Sequence, residues 1–252
     1  MNAAPDPDIV TAAVIVIGNE ILSGRTQDAN LNFLAKGLGA AGVVLREARV
    51  IPDIAEIIIA TVNELRAKFD YVFTTGGIGP THDDITSECV ARAFGLPLTV
   101  HPDAHKAFLS YYRPGELNEA RMRMAMTPEG ATLIPNPISR APGFRIANVF
   151  VMAGIPSVMQ AMFDGVKGSL RGGPPVLSRT LVCTIPEGLL AKGLGEIQNT
   201  FADLDIGSYP FQRRGTFGVA LVVRGREAAR LERCKDAIAD LIRALGGEPA
   251  EE

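Results

Sequence analysis

Tryptophan is absent from this chain of 252 residues, and aromatics reach only 6%, so a core has to be built mainly from aliphatic side chains. Cysteine occurs three times, as Cys89, Cys183 and Cys234, far apart and without metal-type spacing. That excludes a disulfide framework or a zinc knuckle and reads as reduced thiols in a cytoplasmic protein. No apolar run approaches the roughly 20 residues that a membrane helix needs. Met1-Asn-Ala-Ala-Pro-Asp-Pro-Asp8 is polar and acidic, unlike a signal peptide, and residues 1–10 are expected to form a loose tail. An excess of positive charge is missing as well. The net charge of −3 offers no global attraction to nucleic acid or to an anionic membrane.

What the chain does have is one unusual stretch, Asp70-Tyr-Val-Phe-Thr-Thr-Gly-Gly-Ile-Gly-Pro-Thr-His-Asp-Asp-Ile-Thr86. Tyr71 to Phe73 predicts a buried strand, and Ile85, Cys89, Val90 and Phe94 follow at helical spacing. Gly76, Gly77 and Gly79 therefore fall in a strand-to-helix turn, followed by no P-loop lysine, and no GxGxxG dinucleotide fingerprint is expected. Such a turn offers backbone N–H groups at a helix N-terminus, and glycine lets a phosphate approach the backbone. Asp83 and Asp84 stand in the same turn beside Thr81, His82 and Thr86. Bare carboxylates repel phosphate, and a divalent cation with hard oxygen ligands, Mg²⁺, resolves the conflict. The constellation points to a metal-assisted phosphate or pyrophosphate site. The competing reading is a tight turn whose Asp and Thr side chains cap the helix, and for Asp84 alone the two stand level.

Apolar runs at 12–17 and 43–50 predict two further strands, and Leu31, Leu34, Ala35 and Leu38, then Ile54, Ile58, Ile59, Val62 and Leu65, predict two helices. Strands alternating with helices imply βαβ units and a parallel sheet. Polar segments 18–30, 51–53 and 76–86 then share the carboxyl edge of the sheet, where ligands bind. Asp28, Asn30, Asp53, Asp83 and Asp84 could converge there, although Asn30 and Asp53 are equally placed to cap the helices after them. Residues 97–130 are less regular. His101 and His105 stand at i, i+4 without a third ligand and read as a solvated pair, and Arg113, Arg121 and Arg123 either meet phosphate or are solvated. Strands are expected at 132–136 and 145–152, then a glycine turn at 153–157 and a helix. Gly168 to Pro175 is the clearest linker. Beyond it a β-α-β-β-α pattern predicts a small accessory domain.

Gly18-Asn-Glu-Ile-Leu22 with Gly24, Asp28 and Asn30, then Asp53, then Thr75 to Thr86, resemble the molybdopterin-binding (MoaB/Mog-type) family. Within it they are most similar to the N-terminal domain of competence/damage-inducible protein CinA and to the related domain of eukaryotic FAD synthases. Asn136-Pro137, Ala141 to Phe144 and Gly154-Ile-Pro156 extend the likeness, and Gly207-Ser-Tyr-Pro210 resembles the small domain that follows in this group. The resemblance implies a three-layer α/β/α fold with a mostly parallel sheet over 11–170 and a small α+β domain over 176–247. It also implies a homo-oligomer and a nucleotide or pterin phosphate ligand bound with Mg²⁺.

Relatives of this kind either hydrolyse pyrophosphates such as ADP-ribose or FAD, or transfer AMP from ATP onto molybdopterin. The first activity is expected here. In that scheme Asp53, Asp83 and Asp84 hold the metal, Asp84, Asp53 and His82 are the catalytic set, and amides of Gly76, Gly77 and Gly79 bear the developing negative charge. Thr75, Thr81, Asp28, Asn30 and Gly154 complete the ligand site, with molybdopterin as a further candidate ligand or substrate. A non-catalytic pterin- or nucleotide-binding module, or an assembly partner of a separate amidohydrolase, is the remaining alternative. CinA proteins usually continue into an amidohydrolase domain, and an activity of that kind is not expected from these residues. The loop often written Pro-Gly-x-Pro is Ala153-Gly-Ile-Pro156 here, one rigid residue fewer.

Overall fold

A computed structural model of the protein describes residues 9–113, 115–213 and 215–252. The chain forms two compact units, one ending at Gly173 and the other beginning at Pro174. Most of the expected N-terminal tail lies outside the described residues. Val10 does not belong to a tail: it is buried, and its carbonyl accepts from Val44 N–H at 2.8 Å.

The first unit runs β1 (Thr11–Ile17), α1 (Asn19–Leu22), α2 (Asn30–Ala40), β2 (Val44–Ile51), α3 (Ala55–Lys68), β3 (Tyr71–Thr75) and α4 (Thr86–Phe94). β4 (Leu98–Val100), α5 (Pro102–Tyr111), α6 (Glu119–Arg123) and β5 (Met126–Pro128) come next. It closes with β6 (Thr132–Ile134), β7 (Gly143–Ile146), β8 (Val149–Met152) and α7 (Pro156–Val166). Six strands make one sheet in the order β2-β1-β3-β8-β7-β6, and β2, β1, β3 and β8 pair in parallel. Successive side chains of β1 feed opposite cores, as the pleat requires. Val14 and Val16 pack with Leu34, Leu38, Met159 and Phe163 of α2 and α7, whereas Ala13, Ile15 and Ile17 pack with Ile58, Val62, Leu65 and Val90 of α3 and α4. The result is a three-layer α/β/α arrangement, with apolar runs on strands covered on both faces. Gly37 keeps α2 close to α7, since a Cβ there would stand 2.4 Å from the Phe163 ring. The string Gly37-Leu-Gly-Ala-Ala-Gly42 has GxGxxG spacing, but it closes a helix and runs into a strand. That is the reverse of the strand-to-helix order a dinucleotide turn needs.

Two expectations need correction. The single strand over 145–152 is the hairpin β7–β8, antiparallel with Ile146 opposite Val149. Ala147 turns the chain at φ 50°, and Asn148 Nδ2 ties the turn to the carbonyls of Arg66 and Phe69. Asn148 was the one turn-forming residue in the stretch, with no glycine or proline beside it. Residues 97–130, expected to be irregular, contain β4 paired with β5 and a small core around Ala104, Phe108 and Ala125.

The second unit consists of β9 (Leu177–Cys183), α8 (Glu187–Thr200), β10 (Asp205–Arg213), β11 (Thr216–Gly225), α9 (Ala228–Ala244) and β12 (Ala250–Glu251). Its antiparallel sheet, in the order β10-β11-β9-β12, packs Leu181, Leu221 and Val223 against Leu190, Leu231, Cys234 and Ile238. β12 adds an edge strand to the expected β-α-β-β-α pattern. Among the described residues, no helix is long and apolar enough to cross a membrane.

Candidate functional site

The chain leaves β1 for β2 on one side and returns to β3 on the other, so β1 and β3 flank a topological switch point. At their carboxyl ends lies a cavity of about 530 Å³, lined by Glu20, the 76–80 turn, Asp84 and residues 153–156, with Met124 and Asn136 closing it. Its walls are mostly apolar, from Ile78, Pro80, Met124, Ala141, Ile155 and Val158.

Close backbone contacts build the turn. Gly76 has φ 104°, and a Cβ there would meet Ile17 O at 2.1 Å. A Cβ on Gly154 would stand 3.2 Å from Gly76 Cα, so the 76–79 and 153–156 turns touch through glycine. A Cβ on Gly79 would stand 2.5 Å from Asp84 Oδ2, so that carboxylate lies directly against the turn backbone. Asp84 Oδ2 accepts from the N–H and the hydroxyl of Thr81, which leaves Oδ1 without a donor among the described residues. Asp84 does not cap α4; Ile85 holds the cap position with no side-chain bond. The Gly76 amide donates to Met152 O, so it is not available to an anion as the sequence reading had it. The amides of Gly77 and Gly79 have no acceptor among the described residues, and α4 begins just beyond them.

Other expected residues are placed as follows. Gly154 lines the cavity. Asn30 is buried at 4% exposure and donates from Nδ2 to Gly154 O at 2.8 Å, leaving its Oδ1 unpartnered. It does not cap α2; Asp28 does, accepting from Leu31 N–H at 2.9 Å, and Asp28 lines a different groove beside β2. Thr75 is buried with its hydroxyl unpartnered. Asp53 accepts from Asn19 N–H at 2.8 Å, clamping α1 to the end of β2, and neither caps α3 nor lines the cavity. His82 is 97% exposed and 4.0 Å from Asp83 Oδ1, pointing into solvent on the outer side of the turn. Asp83 is exposed too. The Thr81 hydroxyl, then its own backbone N–H, hold its carboxyl below the usual range. Hydrogen-bond geometry gives the single Thr81 proton to Asp84, so the depression at Asp83 holds only while that hydroxyl turns towards it.

Among the described residues no three His, Cys, Asp or Glu side chains converge to hold a metal ion, so Asp53, Asp83 and Asp84 do not form the expected carboxylate set. Asp84 and Glu20 share the cavity instead. Glu20 sits three residues beyond β1 and was legible as an acidic residue at the sheet edge, though not as a cavity wall. Asn136 gave less signal. It is buried, donates to Ser139 and Ala141, accepts from the amides of Ile138 and Ser139, and so shapes the 137–141 loop. Met124 arrives from α6 with no local signal. His101 accepts from Asp103 N–H and caps α5, away from the cavity. The three cysteines are free and buried, and burial pushes the Cys89 and Cys234 thiols up to about 11, unsuited to nucleophilic work.

Comparison with known proteins gives matches over both units. The family model described as a probable molybdopterin binding domain matches residues 13–172, and the model of the FAD synthase middle domain matches 175–246. A protein of Pyrobaculum calidifontis is 36% identical over 211 residues, covering 79% of this chain and 80% of its own length. A CinA-like protein of Desulfosudis oleivorans is 39% identical over 194 residues, covering 72% of this chain and 47% of its own. The chain thus spans about half the length of that CinA-like relative. Among solved structures, the protein CinA with unknown function from Thermoplasma acidophilum superposes with a TM-score of 0.61 at 31% identity, covering 64% of this chain and 98% of that one.

Proposed function

This chain belongs to the probable molybdopterin-binding domain family and is CinA-like, and from that premise we propose that it hydrolyses a nucleoside diphosphate derivative of the ADP-ribose or FAD type with the help of Mg²⁺. The observation that carries the reading is the Asp84 carboxylate lying on Gly79 inside the switch-point cavity, with the Gly77 and Gly79 amides unpaired beside it. The amides and the N-terminus of α4 bind the diphosphate oxygens, and the apolar walls take the ring-bearing half of the ligand. Thr81 fixes the Asp84 carboxyl through Oδ2, which leaves Oδ1 free of a donor among the described residues. Two carboxylates in one cavity, Asp84 and Glu20, fit a cation completed by ligand phosphates, as Mg²⁺ is commonly held, and do not fit a cage made by protein alone. When bound, the ion supplies neutralisation of phosphoryl charge and acidifies a water. Water adds to one phosphorus, the bridging P–O bond breaks, and two phosphomonoesters leave, AMP and ribose 5-phosphate from ADP-ribose. His82 and Asp53, outside the cavity lining, have no contact with the reacting atoms in this scheme.

The family description names a molybdopterin-binding domain, and a pterin ligand admits a second reading, adenylyl transfer to molybdopterin, in which the same groups bind the phosphates and a pterin phosphate replaces water. Purified protein incubated with ADP-ribose, FAD or ATP, with Mg²⁺ or with EDTA, separates them. Metal-dependent AMP release from ADP-ribose or FAD is expected. Inertness towards all three, with ATP consumed only when molybdopterin is added, overturns the hydrolase in favour of the transferase. Tight ligand binding without turnover under either condition leaves a binding module.

A further inference from the structure

A second cavity, of about 330 Å³, lies against the same turn. It shares Ile78, Gly79 and Asp84 with the larger one, so the two chambers adjoin at the Gly79–Asp84 pair. The chambers differ in chemistry. The larger is mostly apolar, whereas the smaller adds Ser87, Glu88 and Arg123. Arg123, at the end of α6, places Nη2 3.4 Å from the Asp84 carbonyl oxygen, and no ion pair engages it among the described residues. Its neighbour on the helix, Arg121, is committed elsewhere: it donates to Glu116 O and lies 4.5 Å over the Tyr112 ring. Arg49, Arg179, Arg213, Arg230 and Arg243 have carboxylate partners; Arg46 and Arg92, like Arg123, have none among the described residues, and what sets Arg123 apart is its place in a cavity wall at the glycine turn. Asp84 and Glu88 line the same chamber without pairing with Arg123, so its guanidinium is left to a phosphate oxygen there, with Mg²⁺ offsetting the two carboxylates.

We propose that the smaller chamber is a second phosphate subsite in which Arg123 sets specificity for diphosphates substituted at both ends over nucleoside monophosphates. This rests on the reading above, in which the first phosphate lies on the Gly77–Gly79 turn. The nucleoside half occupies the larger chamber, the bridge passes Asp84, and the outer phosphate with its sugar enters the smaller chamber to meet Arg123. A nucleoside monophosphate fills only the larger chamber. Arg123 is exposed, so its replacement leaves the fold intact.

The test is equilibrium binding by calorimetry, with Mg²⁺ present, of AMP and of ADP-ribose whose bridging oxygen is replaced by a methylene group. Wild type, Arg123→Ala and Arg123→Lys are compared. Arg123→Ala is expected to raise the Kd of the methylene analogue about tenfold, the low end for a hydrogen bond to a charged group, while the Kd of AMP stays within about twofold. Arg123→Lys is expected to recover most of the loss. Unchanged affinity for the analogue in Arg123→Ala, or an equal loss for AMP, overturns the subsite and leaves the hydrolase reading standing. Wild-type protein that binds neither probe overturns both.

Discussion

Gly76 shows how narrowly a single residue can be prescribed here. Its φ of 104° and the 2.1 Å approach of Ile17 O both refuse a side chain. Gly76→Ala is expected to destabilise the first unit by about 2 kcal/mol or more through backbone strain, read as a lower midpoint in urea with unchanged slope. An unchanged midpoint would show that the turn relaxes freely. Asn30 acts differently. Asn30→Ala removes a buried donor and leaves the Gly154 carbonyl without its partner, so a loss of about 1–2 kcal/mol is expected, together with weaker AMP binding as the 153–156 turn loosens. A variant with full stability and full affinity would contradict that tie. At this scale the glycines were legible, because a run such as Gly76-Gly77-Ile-Gly79 has few structural uses. The partner of Asn30 was not, since Gly154 lies 124 residues away and nothing local in the sequence pairs them.

At the scale of elements, β2 is one of the two edges of the six-stranded sheet and is guarded by charge and by irregular pairing. Its register with β1 shifts between Ala12 and Ala13, where Leu45 and Glu47 are the successive partners. On the α3 side Arg49 bridges Glu47 and Glu64, and Lys68 binds Glu47 at 2.7 Å. Lys68 first and Arg49 next lower the Glu47 pKa, and Arg49 lowers that of Glu64. Groups with a lowered folded pKa stabilise above their ordinary value of 4.5, and that contribution is lost as pH falls through the folded value. Arg49→Ala is therefore expected to melt at a lower temperature than wild type at pH 7, with the gap closing as the pH drops below about 4.5. A gap independent of pH would assign the effect to packing. Such pairs are weak individually and screened by salt.

The helices and strands that were legible owe this to strong periodicity, as in Ile58, Val62 and Leu65 on α3 and the unbroken apolar run of β1. The β7–β8 hairpin was hidden because each strand is four residues long and the turn between them, Ala147-Asn148, lacks glycine and proline. β4 and β5 were hidden by being three residues each.

For the whole molecule, a division near the Gly168–Pro175 linker follows from composition, and each unit has its own apolar core. Residues 174–252, expressed alone, are expected to give a single cooperative thermal transition, since Leu181, Leu221, Leu231, Cys234 and Ile238 bury one another without help from the first unit. A gradual, featureless melt would mean that the small unit depends on the large one. The site belongs wholly to the first unit and was only half legible. The turn and Asp84 were found because glycine and acid cluster locally, and Gly154 because 153–157 repeats the order of strand, glycine turn and helix. Glu20, Asn136 and Met124 come together only through the sheet order and the arrival of α6, which no local pattern encodes. Asp53 was assigned to the site through the sheet edge and the family resemblance, and His82 and Asp83 through their place beside the glycines, yet Asp53 serves a clamp and the other two are exposed.

The account turns on Asp84, and the most direct measurement is the rate of AMP release from ADP-ribose by wild type and Asp84→Asn across a Mg²⁺ titration, with thermal melts run in parallel. The amide can still accept from Thr81, so the fold is expected to persist, while turnover falls at least about a hundredfold, as losing a few kcal/mol of metal-assisted stabilisation requires. Wild-type turnover that persists in Asp84→Asn with the same Mg²⁺ dependence would contradict the central claim.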